Sequence, residues 1–129
     1  MSFESALRTR LKDDATISGI AGANIYWSAR KQGSPFPAVV LTTIYGERPQ
    51  HFGGFSDNIK RSNIQIACYA TSVTVAQALR EAVFAAIVPE ATVGGVTFQR
   101  AFPEYRSRVQ NTETTEVFQE IIEAEFRHN

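Results

Sequence analysis

The sequence has little of what reactive sites and nucleic-acid-binding surfaces usually require. Its 129 residues include one cysteine and two histidines, and 13 basic residues balance 13 acidic ones. A single cysteine excludes an internal disulfide. A free-standing nucleic-acid-binding domain usually carries a clear basic excess, so a net charge of zero argues against that class.

Long apolar runs are also missing. No segment approaches the ~20 apolar residues that a membrane-spanning helix requires. The acidic start, Ser2-Phe3-Glu4, lacks the pattern of a secretory signal, so we expect synthesis in a cytoplasm and no membrane partner. A hydrophobic fraction of 43% and a charged fraction of 20% are typical of a globular domain, and the length predicts a single domain over residues 1–129.

The residues that could carry chemistry are isolated from one another in the sequence. His51 and His128 have no partner at metal-ligand spacing. Cys68 lies on the apolar side of a predicted strand, where it is expected to be a small buried hydrophobic residue. We therefore predict no metal, no cofactor and no enzymatic activity; a small hydrolase that uses Cys68 or His51 is the enzymatic alternative. The solvated face of the last element is expected to carry Glu120, Glu123 and Glu125.

The clearest structural signal lies in residues 59–88, where a period of two gives way to a period near 3.6. Residues 63–70 alternate between apolar and polar side chains, which indicates a half-buried strand. An apolar stripe then predicts an amphipathic helix that Pro89 terminates, with Arg80 off the stripe. Either Ser72 or Thr74, the latter in a capping box with Gln77, would begin this helix.

The other elements follow from weaker patterns. Ser2 caps a first helix that ends near Asp13-Asp14, and residues 17–20 continue as a loose turn. Residues 24–28 and 38–45 are predicted strands, the second suited to the centre of a sheet. The sequence Val93-Gly94-Gly95-Val96 predicts a tight turn before a strand that extends to Phe102.

The C-terminal third is harder to interpret. Residues 106–115 are polar and predict a loop, whereas residues 116–127 fit a helix or a strand equally well by periodicity. The surrounding β-rich segments favour a strand. The chain is thus predicted to be an α+β domain: a mixed, mostly antiparallel β-sheet of about five strands with two α-helices packed on one face.

One irregular segment exceeds the usual length of a loop. Residues 46–58 combine glycines with Phe52 and Phe55, and aromatic side chains on a flexible loop suit docking against a neighbouring subunit. The alternative is that both phenylalanines fold back onto the core of their own chain. With the basic residues nearby and those of residues 106–115, the predicted subunit or tube interface consists of Arg48, His51, Phe52, Phe55, Arg106 and Arg108.

Four features together resemble the tail-terminator, or tail-completion, proteins of long-tailed bacteriophages and gene-transfer agents, also called tail-to-head joining proteins. They are an N-terminal helix with a short segment at residues 24–26, a proline-flanked strand entry at residues 35–40, a strand that runs into an alanine-rich helix at residues 64–87, and the late glycine turn with a closing strand. The resemblance covers nearly the whole chain in the right order, and it also favours a strand for residues 116–127.

The resemblance implies a subunit of the virion tail, assembled in the cytoplasm of a bacterial host. Such subunits form a homo-oligomeric ring, typically a hexamer, at the head-proximal end of the tail tube. The ring ends polymerisation of the major tail tube protein and offers a surface to the head-tail connector proteins, and DNA passes through its lumen without specific binding. A head-side connector or stopper at the same junction is the main alternative, and an adaptor domain of unknown partner is another.

Overall fold

The computed structural model describes residues 2–28, 36–47, 60–111 and 116–128. The predicted α+β class is confirmed, but this part of the chain has three helices and seven strands, more than the two and about five expected. In chain order the elements are α1 (Phe3–Lys12), α2 (Ala15–Ala21), β1 (Ile25–Trp27), β2 (Ala38–Glu47), β3 (Lys60–Ala70), α3 (Val73–Ile87), β4 (Ala91–Val93), β5 (Val96–Phe98), β6 (Glu104–Asn111) and β7 (Glu116–His128).

The strands form one mixed sheet in the order β1-β2-β3-β7-β5-β4, with β6 also paired to β7. Among the strand pairs of the described residues, only β1–β2 is parallel. Because β3 and β6 both pair with residues 118–123 of β7, they must lie on its opposite edges. Strand β5 joins the β6 edge of β7 further along, at His128.

The core lies between the three helices and one face of this sheet. Alternate residues of the central strands, such as Ile64, Ile66 and Ile122, are fully buried there. Leu7 of α1 and Leu79 of α3 pack in the same cluster. One-sided packing follows from the period-two alternation of the strands, which directs successive side chains to opposite faces. In the described part of the chain, no helix is long and apolar enough to cross a membrane.

The N-terminal region contains a helix that the sequence interpretation missed. Residues 17–20 are part of α2 rather than a loose turn. Asp14 is its N-cap, and its Oδ1 accepts hydrogen bonds from the backbone N–H groups of Thr16 and Ile17 at 3.0 Å. The predicted cap of α1 is confirmed, since the Ser2 hydroxyl accepts from the backbone N–H of Ser5.

Helix α3 begins at Val73, so Ser72 is its N-cap residue and the Thr74 capping box is wrong. The Ser72 side chain makes no capping hydrogen bond. The helix ends at Ile87, two residues before Pro89, as the missing N–H of a proline requires.

The C-terminal third differs from prediction in two respects. Residues 106–111 belong to β6 and are not a loop, whereas the preference for a strand in the last segment is confirmed by β7. The polar β6 forms a strand because it pairs with β7 through tertiary contact, which local alternation does not signal. Gly94 and Gly95 both have positive φ, 55° and 83°, and make the predicted turn between β4 and β5. The predicted extension of β5 to Phe102 is wrong, because β5 ends at Phe98.

Candidate functional site

The predicted interface residues fall into two groups. Arg48, His51, Phe52 and Phe55 lie outside the described residues. Arg106 and Arg108 are in β6 rather than in a loop, at positions opposite Ile121 and Gln119 of β7. The structure therefore places these two arginines on a strand at an edge of the sheet. Their role in an interface stays a prediction.

Of the two residues considered for catalysis, His51 lies outside the described residues, so only the surroundings of Cys68 can be described. Cys68 is fully buried in the core, as predicted. Burial, with a smaller contribution from the charge of Glu120, raises the pKa of the Cys68 thiol to about 12, although Arg80 acts in the opposite direction. A thiol with this pKa is not a nucleophile near neutral pH. Among the described residues no group of three or more His, Cys, Asp or Glu side chains could hold a metal ion.

A buried ion pair joins α3 to β7, and the sequence interpretation missed it. Arg80 is only 12% exposed and its Nη1 lies 3.4 Å from Glu120 Oε2. Glu120 was expected on a solvated face but is 4% exposed, so that prediction is wrong. Arg80 Nη2 also donates to Glu81 at 2.8 Å. Burial lowers the pKa of Arg80, but the hydrogen bond to Glu81 and the charges of Glu120 and Glu81 outweigh it, so its pKa lies above the ordinary value.

The same arginine organises an aromatic contact with β6. Its guanidinium lies 4.1 Å from the centre of the Tyr105 ring, and the Phe84 and Tyr105 rings are nearly perpendicular with centres 6.1 Å apart. Arg80 was expected off the apolar stripe of the helix, but it sits four residues after buried Ala76 and three before buried Val83. That spacing could have placed it on the buried face. Its partner, 40 residues away in sequence, gave no local signal.

The two ends of the chain meet at an aromatic cluster. The rings of Phe3 and His128 stack with centres 4.0 Å apart and planes within 10°. Phe3 also approaches Phe98 and Phe126 at 5.7 and 5.9 Å. His128 is 4% exposed, and its Nε2 is 2.9 Å from the hydroxyl of Ser62. His128 therefore fixes α1 against β3 and β7, a role that its position near the C-terminus did not suggest.

The helix-free face of the sheet has a buried centre of its own. Val40, Ala67 and Ile121 are each less than 8% exposed there. The amide nitrogen of Gln119 donates to the hydroxyl of Tyr69 at 2.9 Å across β7 and β3. This face is thus apolar in the middle and carries the Gln119–Tyr69 hydrogen bond, and it has no helix of the described residues against it.

A polar cleft opens beside the β5–β6 connection. It has a volume of about 300 Å³. Phe102 projects at its rim with 79% of its surface exposed, and Arg100 lies 5.8 Å from the centre of its ring. The lining residues are Glu90, Gln99, Arg100, Phe102, Glu125 and Arg127.

This architecture is shared with proteins of known structure. A chain from the virion of a native gene transfer agent particle aligns with 98% of this chain and 94% of its own length, at a TM-score of 0.68 and 16% identity. A second solved protein aligns with 98% of this chain and 92% of its own, at a TM-score of 0.64 and 11% identity. These alignments show a common fold over almost the whole chain. No curated protein sequence matches.

The sequence itself assigns the family. The model of the tail completion protein gp17 family matches residues 5–124, which is nearly all of the chain. The chain therefore belongs to the tail completion protein family, and the predicted resemblance is confirmed. It is a structural protein of the virion tail.

Proposed function

We propose that the protein forms a homo-oligomeric ring, with six copies expected, at the head-proximal end of the tail tube. There it ends tube polymerisation and presents the surface to which the head attaches. The observation that carries the proposal is the match of a tail completion family over residues 5–124. The whole-length likeness of its fold to a gene transfer agent virion protein supports it. The role is structural, without a catalytic step.

A ring explains how one small subunit could end a polymer. A heterologous contact between identical subunits closes into a ring when the rotation between neighbours allows it. Such a ring has two different faces, so one can fit the major tail tube protein while the other fits the head-tail connector proteins. A net charge of zero keeps repulsion between neighbouring copies small. DNA would pass through the lumen without sequence-specific contacts.

The test is electron microscopy of particles made when the gene for this chain is disrupted. Tail tubes of abnormal and uncontrolled length, or tails that do not join heads, are the expected result. Expression of the intact gene from a plasmid should restore tails of uniform length joined to heads.

The same images separate the proposal from its alternatives. Tails of normal length beside heads that lose DNA would move the protein to the head side, as a connector or stopper. Intact infectious particles would contradict a role in tail completion.

A further inference from the structure

Besides the outer edges of the three-residue strands β1 and β4, two longer strand edges have no partner among the described residues, and they lie on opposite sides of the sheet. Within the described residues, β6 has β7 as its sole strand partner, so no described strand pairs with its other edge. On the other side, β1 covers only residues 39–41 of β2. Residues 42–47 of β2 therefore form a second edge with no partner strand in the part of the chain that the structure describes. An open strand edge is a template for pairing with another chain.

The directions of the two edge strands are compatible with each other. Three antiparallel pairs separate β2 from β6, namely β2–β3, β3–β7 and β7–β6, so the two edge strands run in opposite directions. A rotation about an axis that lies roughly along the strands preserves these directions. Placing β6 of one copy beside β2 of the next would then continue the antiparallel alternation without a break.

We propose that β6 of one copy pairs antiparallel with residues 42–47 of β2 in a second copy of this chain, and that this contact repeats around the ring. The inference rests on the proposed function, because it names the contact that closes the proposed ring. It needs only the backbone of the two strands. It does not depend on residues 48–58 of the predicted loop.

Facing positions must lie on the same side of the sheet, and the proposed register, which pairs Val109 with Thr43, meets this condition. Val109 is at the β6 position that pairs with Phe118, and Thr43 is at the β2 position that pairs with Ile64; both partners, Phe118 and Ile64, lie on the helix-covered face. Gln110 and Thr42 are the corresponding pair on the helix-free face. The β-bulge between Thr43 and Tyr45 shifts the register by one residue beyond this point.

The same register brings oppositely charged residue types together. Counting on from Val109 and Thr43 through the bulge, Arg106 of one copy falls opposite Glu47 of the next. Opposite charges at facing strand positions favour pairing, and like charges disfavour it. Arg106 is one of the residues that the sequence predicted for the interface.

The offset between copies agrees with the geometry of a closed barrel. Within one copy, Glu104 pairs with Glu123, Glu123 with Gln65, and Gln65 with Thr42. Glu104 and Thr42 therefore lie at the same height along the strands. Pairing Gln110 with the next Thr42 therefore shifts successive copies by about six residues, or about 20 Å along the strands. Four strands span about 19 Å across the sheet. The resulting strand tilt, about 45°, is at the upper end of the usual range for closed barrels.

Hydrogen exchange of the unmodified protein provides the first test. The protein free in solution is compared with the protein in purified tails, and peptides that cover residues 42–47 and 104–111 are followed by mass spectrometry. Exchange at both edges should slow at least tenfold on assembly, while β3, already paired on both sides, should change little. Unchanged exchange at either edge would contradict the pairing.

Cysteine cross-linking tests the register. Rings that carry Val109→Cys with Thr43→Cys, or Gln110→Cys with Thr42→Cys, should oxidise to a ladder of covalent oligomers. Lys12→Cys with Thr43→Cys, which keeps the number of added thiols, should give monomers. Dimers from Val109→Cys alone would show that two β6 strands pair with each other, which overturns the proposal.

The two proposals fail in different ways. Rings or tail caps seen by microscopy without edge protection and without a ladder would discard the β6–β2 contact and leave the ring intact. Unmodified tails that lack any ring of this protein at the head-proximal end would contradict the proposed function itself.

Discussion

At the scale of single residues, Arg80 has the most consequential position. It is nearly buried and contacts Glu120, Glu81 and the Tyr105 ring, so it links α3 to both β7 and β6. Removing one member of a buried ion pair is costly because the remaining charge keeps its desolvation penalty.

We expect Arg80→Ala to lower the free energy of unfolding by about 3 kcal/mol, measured by urea denaturation. Glu81→Ala is the matched control: Glu81 is exposed and contacts the same guanidinium, so its loss should change stability by less than about 0.5 kcal/mol. Equal small effects for the two variants would show that the buried pair does not hold α3 to the sheet.

Because of Cys68, the free energy of unfolding should depend on pH in the alkaline range. Its pKa is raised from 9.0 to about 12 by burial, so the folded protein keeps a proton that the unfolded chain loses between these values. Stability is therefore unaffected by this group below pH 9 and falls as pH rises from 9 towards 12, by about 1.4 kcal/mol per pH unit.

The measurement is the difference between the unfolding free energies of the parent and Cys68→Ala at pH 8, 9.5 and 10.5. Above pH 9, the unfolding free energy of the parent should fall relative to that of Cys68→Ala. Other titrating groups are common to both proteins and cancel. A difference that is constant across this range would mean that the thiol ionises freely in the folded state.

At the scale of elements, α2 depends on one side chain. Asp14 accepts hydrogen bonds from two backbone N–H groups of the first turn, whereas Asp13 ends α1 through its backbone alone. Asp14→Ala should destabilise the protein by about 1 kcal/mol, and the neighbouring Asp13→Ala by much less. Thermal unfolding of the two variants measures this, and a reversed order would contradict the assignment of Asp14 as the cap.

The elements that were predictable are those with a strong local pattern. The alternation of β3 and the apolar stripe of α3 placed both elements, and Gly94-Gly95 marked the turn between β4 and β5. Strand β6 was missed because its residues are mostly polar, so no local alternation of apolar and polar side chains marks it as a strand. Helix α2, seven residues long, was too short to show a period.

The residues of the candidate site were likewise predictable only where a local sequence pattern marked them. The burial of Cys68 was predictable from strand alternation. The Arg80–Glu120 pair and the stack of Phe3 on His128 join residues far apart in sequence, so they depend on the finished fold.

At the scale of the whole molecule, the predicted loop aromatics separate assembly from folding. If Phe52 and Phe55 dock on a neighbouring subunit, the double variant Phe52→Ala/Phe55→Ala should leave the unfolding free energy of the monomer unchanged. It should lower the yield of joined heads and tails about tenfold, which corresponds to a loss of about 1.4 kcal/mol at each contact that limits assembly.

The alternative, in which these rings fold back onto the core, predicts a different pattern. The double variant would then lose stability as a buried aromatic does. Phe98→Ala, a fully buried reference, should cost about 3–5 kcal/mol. A loss of that size in the loop variant would discard the docking interpretation.

The most direct measurement of the central claim is a cryo-electron microscopy reconstruction of the junction between head and tail in intact particles. The account predicts a closed ring of six copies of this seven-stranded fold at the last layer of tail tube subunits, with one face on the tube and the other towards the head. Density for this fold on the head side of the junction, away from the tube, or no closed ring at the end of the tube, would contradict it.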